Sequence, residues 1–316
     1  MGNIFQKYEC FGIEVSEVDS IFKMSSSRNI LRIQDAGSIW NIIDPKTINA
    51  DPFLFVHNDQ IFLFYEETTF HNPIGRLMMV SSQDMKHWTA PIQISHEDNL
   101  HFSFPNVFED GGEVYMIPET GWAGEIRLYH ATDSSLANFE LDSILMKREE
   151  KPERIIFDFA DNVLYKKDGI YYLFTSILDK DGYELQLYTS KDLRGPYMSH
   201  PASPLCHSMK FGRNAGRLIE DNGKLFRPAQ DCSETYGGQV HIREITSLSQ
   251  DKYEEEPYIE QIIPTSEKFF VQGGHQLIYT QYKGHIIMAA DAKRDRKFPI
   301  IRIYDKIMRS IRKNNG

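Results

Sequence analysis

One pattern recurs five times along this chain and limits its fold more than any other feature. It is an apolar strand, a tight turn, and a second strand rich in aromatics. The copies read DPFLFVHNDQIFLFYEE from Asp51, FPNVFEDGGEVYMIPET from Phe104 and DNVLYKKDGIYYLFTS from Asp161. AGRLIEDNGKLFRPAQD from Ala215 and GHQLIYTQYKGHIIMAAD from Gly274 complete the set. Successive copies start 53 to 59 residues apart. Apolar residues alternate on either side of Asn, Asp, Gly or Lys, which is the pattern of a β-hairpin. The first four hairpins are each followed by a second strand pair, as in GRLMMVSSQDMKHWTAPIQIS and EIRLYHATDSSLANFELDSILM. Four strands at a period in the fifties make one blade of a β-propeller.

Five copies therefore predict five blades. The fifth lacks a full outer half, so residues near 5–45 are expected to supply strands that close the ring. No long amphipathic helix separates the strands, which excludes a parallel α/β domain and leaves a β-sandwich as the lesser alternative. The expected fold is all-β: a single five-bladed β-propeller over residues 1–292, with a short basic C-terminal helix or tail over 293–316. In that tail Ile300, Ile303, Ile307 and Ile311 fall on one helical face, with Arg302, Lys306, Arg309 and Arg312 beside it. Such a segment suits docking on a membrane surface or a partner protein.

Composition narrows the function. A hydrophobic share of 41% and a charged share of 25% exclude a disordered, collagen-like or coiled-coil chain. The net charge of -10 argues against general nucleic-acid binding, so no nucleic-acid partner is expected. No apolar run is long enough for a membrane span, and MGNIFQKYEC lacks the apolar stretch of a secretory signal. Cys10, Cys206 and Cys232 form no paired motif and read as reduced thiols. The expected setting is cytoplasmic, peripheral to a membrane where the basic segment docks.

A propeller gathers the starts of its innermost strands around one axis. Asp51, Phe104, Asp161, Ala215 and Gly274 are the equivalent positions, with His275 next. The second strand of each hairpin returns to the same end, at Glu67, Glu119, Ser176, Gln230 and Asp291. Repeat logic thus collects Asp51, Glu67, Glu119, Asp161 and His275 at one mouth, with Arg213 and Asp231 close by. Glu66 and Glu67 are neighbours, so alternation allows only one of them to line it.

Crowded carboxyls push one another's pKa values apart, which lets one donate a proton while another accepts one. Glycosidic cleavage needs such a pair. Asp51 is the expected base or nucleophile, Glu119 the acid, and Asp161 an orienter or alternative acid. Substrate contacts are expected from Glu67, Asn106, Arg213, Gln230, Asp231 and His275. Trp122, Phe104 and Tyr236 offer faces for sugar stacking. No P-loop, GxGxxG, HExxH or GxSxG is present. A divalent cation on the axial carboxylates and His275 is the weaker alternative, so no metal and no cofactor are expected.

ADPFLF with the following FLFYEE, and the SSQDMKHW blade turn, resemble the five-bladed propellers of glycoside hydrolase families 43, 32 and 68. HFSFPNVFEDGGEVYMIPET, FADNVLYKKDGIYYLFTS and RNAGRLIEDNGKLFRPAQDCSETYGG are more closely similar to another group. It is the N-terminal propeller domain of plant glucosamine inositolphosphorylceramide transferases, with its bacterial stand-alone relatives. The resemblance runs from about residue 50 to 290. The family-43 pattern implies a base Asp on blade one, a tuning Asp on blade two and an acid Glu on blade three. Asp51 matches the first. Asn106 replaces the second, and Ala160 or Asp161 stands at the third, so Glu119 or Asp161 would have to act as acid. The closer family implies a place in glycolipid or surface-polysaccharide assembly.

The expected function is therefore cleavage or transfer of a glycosyl group in the central funnel. Its partner would be a glycan, a sugar nucleotide or a lipid-linked sugar. The alternative is a non-catalytic glycan-binding propeller that assists a partner glycosyltransferase.

Overall fold

A computed structural model describes residues 8–24, 27–33, 46–69, 72–94, 100–148, 153, 155–267 and 269–296. The fold is all-β, a five-bladed propeller of antiparallel sheets. Blade one is Lys46–His57, Gln60–Thr69, Arg76–Ser82 and Ile92–Gln93. Blade two is Ser103–Asp110, Glu113–Glu119, Glu125–Ala131 and Phe139–Lys147. Blade three is Ile155–Lys167, Ile170–Asp179 and Gly182–Ser190, edged by Met198–Ser199 and Cys206–His207. Blade four has a broken inner strand, Arg213–Asn214 and Ile219–Asp221, then Lys224–Asp231, Gln239–Leu248 and Tyr253–Ile259.

Both ends of the chain build blade five. Leu277–Tyr282 and His285–Arg296 form its inner half, Tyr8–Val18 and Arg28–Ile33 its outer half. Tyr8–Val18 zips onto His285–Arg296 through eleven residue pairs. One parallel pair, Phe11 with Ile48, also joins blade five to blade one. The strand carrying Asp291 continues to Arg296, so Lys293–Arg296, placed by composition in the basic extension, are blade residues. The Ile300–Arg312 face lies outside the described residues.

Blade faces pack on blade faces. This is why Gln60–Thr69 is buried along its whole length except at its two ends, rather than on alternate residues. Phe53 of blade one meets Phe104 of blade two edge to face, with centroids 4.9 Å apart. Burying each such ring contributes roughly 1.5–3 kcal/mol. Below this seam Arg217 reaches across from blade four. Its Nη2 donates to the Val107 carbonyl at 2.8 Å and the Leu54 carbonyl at 3.3 Å. The guanidinium thus ties blades one, two and four together, and burial lowers its pKa to about 10.

The inner strands of blades one, two and three carry the same irregularity. The pairing jumps from Ala50–Glu66 to Phe53–Phe64, from Ser103–Glu119 to Asn106–Ile117, and from Ala160–Ser176 to Val163–Phe174. Each jump inserts one extra residue, a β-bulge. The first bulged residue is left-handed in every case: Asp51 at φ 52°, Phe104 at 47° and Asp161 at 52°. Side chains other than glycine rarely adopt that region, and strain of this kind persists where the surroundings enforce it.

Candidate functional site

The bulges turn backbone N–H groups at each strand start toward the neighbouring blade, and carboxylates meet them. Asp291 of blade five accepts from the Asp51 N–H of blade one at 3.3 Å. Asp51 accepts from the Phe104 N–H of blade two at 3.1 Å. Glu119 of blade two accepts from the Asp161 N–H of blade three at 2.9 Å. Asp161 in turn holds Arg213 of blade four, with Nη2 2.8 Å from Oδ1. A relay of acidic side chains thus runs from blade to blade around the mouth. Asp51, Glu119, Asp161, Arg213, His275 and Asp291 are all buried.

His275 stands between two of the carboxylates. Its Nδ1 is 2.6 Å from Asp291 Oδ2 and its Nε2 is 3.5 Å from Asp51 Oδ1. Burial opposes protonation of the ring, but the Asp291 carboxylate prevails and raises its pKa. Phe11 and Tyr236 pack on the imidazole at 4.6 and 5.2 Å. Arg213 is sandwiched near the Tyr183 and Tyr236 rings, at 5.1 and 5.5 Å. Its Nη2 lies 3.9 Å from Glu119 Oε2. Tyr236 is 37% exposed and covers these groups from the solvent side.

The two lead carboxyls differ in proton affinity. Burial, reinforced by Asp161, pushes Glu119 up to about 8 against the pull of Arg213. Burial pushes Asp51 up to about 6, with His275 holding it from going higher. Between those values Glu119 keeps its proton while Asp51 is ionised. That is the division of labour that acid–base catalysis requires.

The structure brings Asp51, Glu119, Asp161, Arg213 and His275 to one mouth. It does not bring Glu67. Glu67 turns to the opposite face and pairs with Arg76 at 2.6 Å, while Glu66 lies in reach of Asp51, Glu119, Asp291 and Arg213. Ala50–Glu66, Ser103–Glu119 and Ala160–Ser176 are equivalent pairs, so Glu66 is the counterpart of Glu119 and Ser176, and Glu67, one residue further along the strand, takes the opposite face.

Three other predicted substrate contacts make hydrogen bonds within the frame. Asn106 donates to the Asn162 carbonyl at 3.2 Å, tying blade two to blade three. Gln230 donates to the Asn214 carbonyl at 2.7 Å. Asp231 accepts from Ser233 and lies 2.9 Å from His241 Nε2. Trp122 belongs to a single 3-10 turn, Gly121–Ala123, and its side chain lies outside the described residues.

Lys293 stands in a basic run of the sequence with no motif to mark it, yet it belongs to the frame of the site. This buried lysine donates to Glu9, Thr235 Oγ1 and the Tyr236 carbonyl, each at 2.6 Å, and so anchors the segment that carries Tyr236.

Asp51, His275 and Asp291 offer ligand atoms within 4.8 Å of one another. The Asp291 carboxylate, however, already accepts the N–H groups of Asp51, His275 and Gln276 and faces the imidazole. This donor set fits a hydrogen-bonded carboxylate–imidazole line better than a metal centre.

The fold and the buried acidic cluster at its mouth together define a five-bladed propeller of the glycoside-hydrolase type. A family model described as "Glucosamine inositolphosphorylceramide transferase 1, N-terminal" matches residues 30–273, and the chain belongs to that family. The enzyme of that name from Oryza sativa subsp. japonica is 35% identical over 219 residues, covering 67% of this chain and 28% of the relative. The Arabidopsis thaliana counterpart is 31% identical, over 67% of this chain and 27% of its own. The chain thus spans little more than a quarter of the length of these curated relatives.

Among solved structures, a family 117 glycoside hydrolase of Zobellia galactanivorans superposes with a TM-score of 0.53 at 13% identity, covering 77% of this chain and 84% of its own. An exo-1,5-α-L-arabinanase from a bovine ruminal metagenomic library gives 0.51 at 15% identity, over 66% and 78%. At such identities these two share the fold. The matched family and both of these solved neighbours carry names from carbohydrate chemistry.

Proposed function

We propose that the funnel cleaves or transfers a glycosyl group by acid–base chemistry. The observation that carries this reading is the gathering of Asp51 and Glu119 with Arg213 in one buried site, where burial raises the two carboxyls unequally, to about 6 and about 8. Glu119 gives its proton to the leaving oxygen as the glycosidic C–O bond breaks. Asp51 takes a proton from the incoming hydroxyl, of water or of an acceptor alcohol, as the new C–O bond forms. Arg213, clamped by Asp161, holds an anionic or hydroxyl-rich substrate. Tyr236 stacks on the sugar.

The relatives' names speak of glucosamine and inositolphosphorylceramide, which supports a lipid-linked sugar as the substrate class and glycolipid or surface-polysaccharide assembly as the setting. The proposed location is the cytoplasm. The basic segment after residue 296 serves there as a dock on a membrane surface or on a partner protein.

A second reading is favoured by the relay itself. Asp51, Glu119 and Asp291 each accept a bond across a blade seam, as frame residues do. On that reading the propeller binds a glycan and positions it for a partner transferase. Turnover of lipid-linked and free glycans by the wild-type chain, Asp51→Asn and Glu119→Gln separates the two. The catalytic reading expects turnover that both variants abolish while glycan binding survives. Binding without any wild-type turnover supports the second reading instead.

A further inference from the structure

Glu66 is a carboxyl of the cluster with no step in the acid–base mechanism, and its surroundings are built to hold it. A Cβ on Gly75 would stand 2.4 Å from Glu66 Oε1 and 2.5 Å from the Phe102 carbonyl, so only glycine leaves the carboxyl its place. The Gly75 N–H donates to His101 Nδ1 at 2.9 Å. That bond makes Nδ1 the acceptor, so the neutral ring carries its proton on Nε2, 3.6 Å from Glu66 Oε1. Burial lowers His101 to about 4, which keeps the imidazole neutral at neutral pH. Arg76, next to Gly75, is taken by Glu67.

The charges then single out Glu66. Asp161 has Arg213. Asp291 has the His275 ring and three backbone N–H groups. Asp51 has the Phe104 N–H and His275, and Glu119 has the Asp161 N–H. Among the described residues, the partner found for the Glu66 carboxyl is a neutral imidazole. Asp51 and Asp291 face it with like charge, Glu119 adds to this whenever it ionises, and Arg213 is a cation within reach. An ionised carboxyl so placed would be buried without compensation.

We propose that Glu66 remains a neutral carboxylic acid in the working funnel and is a positioning residue, one that acts on Asp51 by withholding a second negative charge beside it. The inference rests on the acid–base reading of Asp51 and Glu119 for its functional meaning. Burial, and then the surrounding carboxylates, raise the Glu66 pKa well above the usual range, which agrees with the geometry.

The test is a pH titration of the full chain by carbon-13 NMR of the Asp and Glu side-chain carboxyls, on wild type, Glu66→Gln and Glu119→Gln. At pH 7 we expect one protonated Glu resonance to vanish in Glu66→Gln and a different one in Glu119→Gln. The Asp51 midpoint should be the same in wild type and Glu66→Gln, because a neutral group replaces a neutral group. The proposal is overturned if the resonance lost in Glu66→Gln had titrated in the ordinary carboxylate range, or if the Asp51 midpoint falls by about one unit or more, equivalent to losing a nearby charge. Should Glu66→Gln fail to fold, the wild-type spectrum still decides, since a single protonated Glu at pH 7, assigned to Glu119, overturns it. Absence of wild-type glycan turnover would sink the catalytic reading and leave these resonances untouched.

Discussion

Arg213 and Asp161 face each other across the seam between blades three and four, and the guanidinium of the first grips both carboxylate oxygens of the second. Both residues are buried. A planar fork on a carboxylate is a contact that lysine cannot reproduce. Removing one partner strands the other charge inside the protein, at a cost of about 3–5 kcal/mol. Arg213→Met and Asp161→Asn should each lower the denaturation midpoint sharply. The double variant should recover part of the loss, and additive losses in a double-mutant cycle would contradict this coupling.

Turnover, where it is measured, should follow a bell in pH. Its acid limb should lie near the Asp51 value of about 6 and its alkaline limb near the Glu119 value of about 8. Ionised Asp51 and protonated Glu119 coexist only between them. A rate that keeps rising beyond the upper limb would assign the acid elsewhere.

Stability should move the opposite way from that of a protein held by ionised carboxylates. The folded-state pKa of Glu119 is raised from 4.5 to about 8, so the native state holds a proton that the unfolded chain releases earlier. Its contribution is therefore present in full below the unfolded value and is lost as pH rises through the folded one. Glu119→Gln should flatten the decline in melting temperature between roughly pH 5 and 8. It should leave the variant more stable than wild type by a few degrees at the top of that range. Parallel melting curves for the two proteins across pH would rule this out.

Lys293→Met should loosen the Tyr236 segment without unfolding the propeller. Three acceptors, Glu9, Thr235 and the Tyr236 carbonyl, lose their donor at once. Amide hydrogen exchange over 232–238 should quicken by an order of magnitude or more, while exchange in the Gln60–Thr69 strand stays slow. Uniform acceleration across all blades would mean that Lys293 is a general stability residue instead.

Much of this architecture is legible in the chain because hairpins repeat and hairpins are local. The five copies place Asp51 and Asp161 at equivalent strand starts, and the structure shows them on equivalent bulges. The offset at Glu66 is one residue: Gln60 to Glu66 and Glu113 to Glu119 are equal steps from the hairpin turn, so counting from the turn places Glu66 at the mouth, whereas aligning the strand ends places Glu67 there. Composition misled in the case of Lys293, which reads as one of a run of basic residues yet ends buried beneath a turn from another blade. Position places Asn106 and Gln230 near the substrate, but position cannot tell that the first amide reaches across a seam to blade three while the second bonds within its own blade.

The clasp in blade five has a mechanical consequence. Tyr8 lies opposite Arg296, and the eleven pairs run antiparallel from there to Val18 and Ile286. Tension applied at those two neighbouring points loads the pairs one after another, from a single end. The ring therefore yields by unzipping, at low force, rather than by shearing all its pairs together. A tether attached beyond both points would peel away Tyr8–Val18 first and leave four blades with an open gap before any of them unfolds.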